Sequence, residues 1–195
     1  MRLIAITGGI GSGKSVVSRV MNIMGYQVYD CDSRARSLMT ESDDVRHQLV
    51  EAFGKETYHA DGTLNRQHLS DIAFGDDQAL SRLNGIVHPA TAMDLRQWAD
   101  RHAAEGAKAA FVETALLRTA GLDRVVDEIW HVTAPVEVRI KRVMARSGLT
   151  AQQVRDRMEA QIAEEQIADG EHVIINDNVT AILPQVLRLL TIDHH

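Results

Sequence analysis

The sequence is poor in residues that cross-link or stiffen a chain: among 195 residues there is one cysteine, there are three prolines, and aromatics make up 4%. A lone Cys31 cannot close an internal disulfide, which excludes a disulfide-stapled secreted scaffold; it reads as a small residue at a strand end with no chemistry of its own. No apolar stretch approaches the roughly eighteen residues a membrane helix needs, and Met1 is followed by a short apolar run rather than a signal-peptide core. Charge of one sign is never concentrated either. Lys plus Arg number 21 against 27 Asp plus Glu, the formal charge is -6, and no run of five like charges occurs, so nucleic acid is not an expected partner. The expectation is a soluble protein of a reducing cytoplasm, with no nucleic-acid or membrane partner and the monomer favoured. His194 and His195 carry no weight in this reading.

Hydrophobic residues make up 45% of the chain, enough to bury a full core as one domain or as one domain with an insertion. Glycine is concentrated in Gly8-Gly9-Ile10-Gly11-Ser12-Gly13-Lys14-Ser15, which fits G-x-x-x-x-G-K-(S/T) at every fixed position. It follows the apolar run Leu3-Ile4-Ala5-Ile6 and precedes a helical pattern carrying Val16, Val17, Val20, Met21 and Met24. Glycines let successive backbone N–H groups aim inward around a polyphosphate, at the positive end of the following helix. Lys14 then reaches the β and γ phosphates, and the Ser15 hydroxyl holds Mg²⁺.

Leu3 to Ile6 suits a central parallel strand, Gly25 stops the first helix, and Gln27 to Asp30 is a second strand, so the class is α/β with parallel crossovers. Asp30-Cys31-Asp32-Ser33-Arg34-Ala35-Arg36 comes at the carboxyl end of that strand, where open α/β sheets bind ligands. Asp30 or Asp32 is either a base for an attacking hydroxyl or the N-cap of the next helix; Arg34 or Arg36 either pairs with an anionic substrate group or lies on a solvated face. From Ser42 to Glu105 the spacing predicts helices over 44–53, 66–74, 78–86 and 89–105 and no clear strand. Asn84 to Pro89 reads as a polar joint between two of them, with His88 either contacting a ligand or, as spacing favours, packing there. Met21, Met24, Met93, Met144 and Met158 read as core filler.

Ala109 to Glu113 is the third expected strand, Glu128 to Val132 the fourth, and Val173 to Asn176 the fifth; a final helix spans Thr180 to Leu190. Glu113 is either a second metal or water contact or a solvated strand-end acid. Pro135 to Ala168 reads as a helical hairpin, broken near Ser147-Gly148 and restarted by the capping pattern Thr150 to Gln153. Its Arg139, Lys141, Arg142, Arg146, Arg155 and Arg157 either form a lid that closes on nucleotide or are a wet face alternating with Glu159, Glu164 and Glu165.

Together these stretches resemble the dephospho-CoA kinase family. The family opening T-G-G-I-G-S-G-K-(S/T)-T is similar to Thr7 through Ser15, with Val16 in place of the usual threonine, and D-A-D-x-x-A-R is similar to Asp30 through Arg36. The L-x-R segment, the L-N-x-I-x-H-P joint, K-R-x-x-x-R, the lid glutamine and the V-I-x-N ending are matched by Leu64 to Arg66, Leu83 to Pro89, Lys141 to Arg146, Gln161 and Val173 to Asn176. One motif departs: the family's P-L-L-(F/I/V)-E is here Ala115-Leu116-Leu117-Arg118-Thr119, so no role of that glutamate transfers; Glu113 is an upstream candidate to compensate.

The resemblance implies a P-loop kinase fold: a parallel five-stranded sheet flanked by helices, with a core of about 1–32, 106–135 and 170–195, a helical acceptor-binding insertion of about 33–105 and a lid of about 136–168. It implies transfer of the ATP γ-phosphoryl group to the ribose 3′-hydroxyl of dephospho-CoA, with Mg²⁺ at Ser15. Gly9, Ile10, Gly11, Ser12, Gly13, Lys14, Ser15, Val16 and Asn176 then bind ATP, while Asp30, Asp32, Arg36, His88 and Pro89 bind the acceptor. Asp32, Lys14, Arg142 and Arg146 are the catalytic set, with Asp32 as the base and the two arginines neutralising charge on the phosphoryl oxygens. The rivals are another small-molecule kinase, for a nucleoside monophosphate or a sugar acid, and a regulatory ATPase. A GTPase is disfavoured because neither N-K-x-D nor D-x-x-G occurs.

Overall fold

The computed structural model describes residues 1–191, and His194 and His195 lie outside them. Contacts divide the chain into two compact units, one of Met1–Tyr29 with the chain from His102 onward, the other of Asp30–Arg101.

The first unit is the α/β core. Its sheet has the strand order β2-β3-β1-β4-β5, from β1 (Arg2–Thr7), β2 (Gln27–Asp30), β3 (Ala109–Glu113), β4 (Glu128–Thr133) and β5 (His172–Ile175). β1 pairs in parallel with β3 and β4, and β4 with β5. The near-continuous apolar run of β1 follows from its place: a central strand covered on both faces has no wet side to alternate toward, and Ile4, Ala5 and Ile6 are fully buried. Because β1 lies between β3 and β4, the loop leaving its carboxyl end emerges where the chain's connections diverge to either side, the usual ligand position in such sheets.

The core joins Ile4, Ile6, Phe111, Trp130, Val132 and Ile174 of the sheet to Val17 and Met21 of α1 (Lys14–Ile23) and to Val186 and Leu189 of α8 (Ile182–Leu190). Phe111 meets Tyr26 and Trp130 edge to face, with centroids 5.3 and 5.1 Å apart, each pair adding about 0.5–1.5 kcal/mol beyond burial. α1 ends as Gly25 predicts. Gly25 takes φ 89°, its N–H donates to the Asn22 carbonyl and that of Tyr26 to the Met21 carbonyl, which together form a Schellman cap. The hairpin α6 (Val136–Ser147) and α7 (Ala151–Glu159) belongs to this unit, and the expected cap forms in full, Thr150 and Gln153 each bonding the other's backbone N–H.

The second unit holds α2 (Cys31–Glu41), α3 (Asp43–Phe53), α4 (Arg66–Gly75) and most of α5 (Asp77–Ala104), with one antiparallel bridge between Tyr58 and Leu64. Three expectations are corrected. Asn84 to Pro89 is not a joint: α5 is one 28-residue helix with Pro89 inside it. Proline lacks the N–H that would bond the Gly85 carbonyl, yet the helix runs on through it, with Val87, Thr91 and Leu95 buried along one side of both halves. Cys31 is not the end of a strand but the buried first residue of α2. Of the methionines, Met21 is buried, whereas Met24, Met93 and Met144 are 37%, 59% and 39% exposed, the first as the C-cap of α1 and the other two on the outer sides of α5 and α6. Among the described residues no helix is long and apolar enough to cross a membrane.

Candidate phosphate-binding site

Between β1 and α1 the loop folds around its own backbone. The Ser12 N–H donates to the Gly9 carbonyl at 3.1 Å and that of Val16 to the Gly13 carbonyl at 3.0 Å, while Lys14 Nζ donates to the carbonyls of Gly8 at 2.7 Å and Gly9 at 3.4 Å. Gly13 caps α1 with φ 96°, a left-handed conformation costly to a residue with a Cβ, and a Cβ there would collide with the Asn176 side-chain nitrogen. Ser15 and Val16 are exposed in the first turn of α1. With no acidic side chain in that turn, the helix presents backbone N–H groups and a positive end to an anion.

Just after β5, buried Asn176 donates through Nδ2 to the Ser12 carbonyl at 2.8 Å. Asp177 accepts from the N–H groups of Val179 and Thr180, bonds that hold its carboxyl below the usual carboxylate range and fix the turn behind Asn176. Arg142, half-buried on α6, donates through one nitrogen to the carbonyls of Gly11 and Ser12, both at 3.3 Å. Its other nitrogen bonds the Asn176 carbonyl at 2.9 Å, Asn176 Oδ1 at 3.1 Å and Asn178 Oδ1 at 2.5 Å. The loop, Arg142 and Asn176 are thus brought into one hydrogen-bonded group. Arg146 stands apart from it, exposed one turn further along α6.

The hairpin differs from a purely wet-faced one. Arg139 is only 5% exposed and forms a two-pronged pair with Glu165, and Glu164 is 3% exposed, its carboxylate accepting from the N–H groups of Arg118 at 3.0 Å and Thr119 at 2.7 Å. Sequence reasoning named Arg139 only among the lid arginines and missed Glu164, Glu165 and Asn178 as site-shaping groups, since nothing local in the sequence marks a side chain whose partner lies dozens of residues away. Beside them, His131 is buried with Nδ1 3.6 Å from Glu171, which also pairs with Arg118. Burial pushes the His131 imidazole below its ordinary value, with Glu171 pulling the other way.

The remaining expected residues lie in the second unit. Asp30 is the N-cap of α2, its carboxylate accepting from the Ser33 N–H at 3.1 Å and Ser33 Oγ at 2.7 Å, and Asp32 follows in the first turn, itself exposed. Arg34 is committed within the protein: it forks onto Asp94 at 2.9 and 3.1 Å and reaches Glu41 at 3.0 Å, an arrangement that raises its pKa. Arg36 bonds the Asp32 carbonyl through Nε at 2.8 Å, leaving its terminal nitrogens for another partner. His88 and Pro89 sit mid-helix in α5.

A parallel sheet with a G-x-x-x-x-G-K-S loop between its central strand and a helix defines the chain as a P-loop protein. The family model described as dephospho-CoA kinase matches residues 2–181. The dephospho-CoA kinase of Salinibacter ruber is 42% identical over 178 residues, covering 91% of this chain and 89% of its own. The crystal structure of TT1252 from Thermus thermophilus superposes with a TM-score of 0.77 at 31% identity, covering 97% of this chain and 94% of that one. The solved structure of dephospho-CoA kinase from Campylobacter jejuni, at 23% identity and covering 97% of this chain and 96% of that one, shares the fold with a TM-score of 0.72. The chain belongs to the dephospho-CoA kinase family, and its function is phosphorylation of dephospho-CoA, the last step of coenzyme A synthesis.

Proposed function

We propose that the loop from Gly9 to Ser15, with Val16 and Asn176, binds ATP, and that the γ-phosphoryl group passes to the ribose 3′-hydroxyl of dephospho-CoA with Asp32 as base. The supporting observation is the frame around the loop, in which Asn176 after β5 and Arg142 on α6 hold its carbonyls and leave the α1 N-terminus for phosphate. Lys14 is tethered to loop carbonyls by hydrogen bonds that a β or γ phosphate oxygen can replace with a charge-assisted one.

Mg²⁺ fits this donor set. The Ser15 hydroxyl is exposed at the head of α1, and among the described residues no cluster of three or more His, Cys, Asp or Glu offers a competing all-protein cage, as suits an ion that takes phosphates and water as its other ligands. When bound, the ion neutralises charge on the β and γ oxygens. The protein itself positions and stabilises. Asp32 accepts the proton of the 3′-hydroxyl as that oxygen attacks phosphorus and ADP leaves; Lys14, Arg142 and Arg146 offset charge on the transferring group; Asp30, Arg36, His88 and Pro89 serve the acceptor. Asp30, already fixed as a cap, serves by setting the start of α2 that carries Asp32.

The test is Asp32→Asn in single-turnover experiments with both substrates saturating. The expected result is phosphoryl transfer slowed by about 10²-fold or more with ATP affinity within twofold, the scale of general-base catalysis. Unchanged transfer with weakened ATP binding would remove Asp32 from the base role.

A further inference from the structure

Ile10, at the tip of the phosphate loop, has both of its backbone polar groups held by side chains of the hairpin region. Its N–H donates to Gln161 Oε1 at 2.9 Å, and its carbonyl accepts from Arg139 Nε at 2.9 Å. Its side chain packs against the cluster of Ile140, Val143 and Val154. Arg139 spends its other two nitrogens on Glu165, one of them at 2.7 Å. Gly9 and Gly11, on either side of Ile10, are shaped to the same residues. A Cβ at Gly9 would run into the Glu165 carboxylate and the Arg139 guanidinium, and one at Gly11 would come within 2.7 Å of the Arg139 carbonyl.

We infer that Arg139 and Glu165 are positioning residues for ATP: the ion pair aims Arg139 Nε at the Ile10 carbonyl and so fixes the loop in its phosphate-binding conformation. This rests on the reading of the loop as the ATP cradle. A guanidinium is suited to the task because it forks onto a carboxylate with two nitrogens while donating a third, in a fixed plane, to a carbonyl. A lysine ammonium, a point charge on a flexible stem, does not hold both in one geometry. Glu165 itself is not placed to meet phosphate, since like charges repel; its effect runs through Arg139. The last turn of the hairpin, Ile162–Glu165, is bound elsewhere by Glu164 at Arg118 and Thr119, so the pair ties the loop to a segment fixed independently.

The experiment compares Glu165→Gln and Arg139→Lys with the parent and with Lys14→Ala, reading kcat, KM for ATP at saturating Mg²⁺, KM for dephospho-CoA and thermal midpoint. Glu165→Gln keeps the shape of the side chain, so the fold is expected to survive. For both variants KM for ATP rises about tenfold while KM for dephospho-CoA stays within twofold, a split that mere loss of stability does not produce. Unchanged KM for ATP in both variants, or equal rises for both substrates, would overturn the inference. If Lys14→Ala is inactive while Glu165→Gln and Arg139→Lys match the parent, the cradle stands and the positioning role falls. If Lys14→Ala matches the parent, both fall.

Discussion

Asn176, just after β5, donates to the carbonyl of Ser12, 164 positions earlier in the chain, across a distance of 2.8 Å. The bond lies where a Cβ on Gly13 would stand, so the glycine and the asparagine belong to one arrangement: the loop turns tightly at Gly13 because Asn176 occupies the space beside it. Asn176→Ala removes this donor and one of the acceptors that Arg142 uses, leaving the buried Ser12 carbonyl with only the longer bond from Arg142. The expected cost is about 1–3 kcal/mol, each kcal/mol lowering the thermal midpoint by about 2–4 °C in a chain of this size. KM for ATP should rise alongside. Thermal unfolding followed by circular dichroism, with initial rates at varied ATP, checks both.

Arg142 and Arg146 share a helix face but not an environment. Arg142 holds loop carbonyls and two asparagines, whereas Arg146 is exposed. Arg142→Ala should therefore lower both the thermal midpoint and ATP-dependent activity. Arg146→Ala should leave stability within about 0.5 kcal/mol, as exposed substitutions usually do, and lower kcat if its guanidinium meets the transferring phosphoryl. Measuring Tm and kcat for the pair separates a structural arginine from one whose effect is catalytic alone.

Pro89 interrupts the hydrogen bonding of α5 from inside. Pro89→Ala restores the bond to the Gly85 carbonyl and should stabilise the chain by about 1–3 kcal/mol, because proline in a helix interior costs about 3 kcal/mol or more. If the proline serves the acceptor site, the stabilised variant shows a higher KM for dephospho-CoA with KM for ATP unchanged. Denaturant unfolding and steady-state kinetics on the same preparation decide it.

His131 gives stability a pH dependence of definite sign. Its folded pKa lies below the ordinary histidine value, so the unfolded chain binds the proton more readily in the window between the two. Stability is present in full above about pH 6.5, the unfolded value, and is lost as pH falls from there toward the lowered folded value. The groups facing the ring are Glu171 and Glu165, which favour its protonation, and Arg118, which opposes it. Between about pH 7.5 and pH 5.5 the thermal midpoint of His131→Gln should fall less than that of the parent; equal slopes would show that the acid sensitivity lies elsewhere.

Much of the architecture was legible because it is written locally. The apolar run Leu3 to Ile6 marks a strand covered on both faces, Gly25 marks a helix end, and Thr150 with Gln153 marks a helix start, each set by neighbours a few residues away. The glycine-rich loop between β1 and α1 was legible for the same reason. What local pattern does not carry is partnership across the fold. Glu164 and Glu165 read as half of an alternating wet face, yet one caps backbone N–H groups of Arg118 and Thr119 and the other holds Arg139. Pro89 read as a helix boundary because proline usually is one; the buried stripe on α5 overrode it. Asp30 and Asp32 were two readings of one segment, and the hydrogen bonds to Ser33 assign the capping role to Asp30.

Initial rates of Mg²⁺-dependent ATP turnover test the account most directly, with dephospho-CoA, with a panel of nucleoside monophosphates, and with no acceptor, using Lys14→Ala as the control. The account predicts rapid turnover with dephospho-CoA alone, slow hydrolysis without an acceptor, and none above background for Lys14→Ala. Hydrolysis at the same rate without an acceptor, or preference for a nucleoside monophosphate, would contradict it.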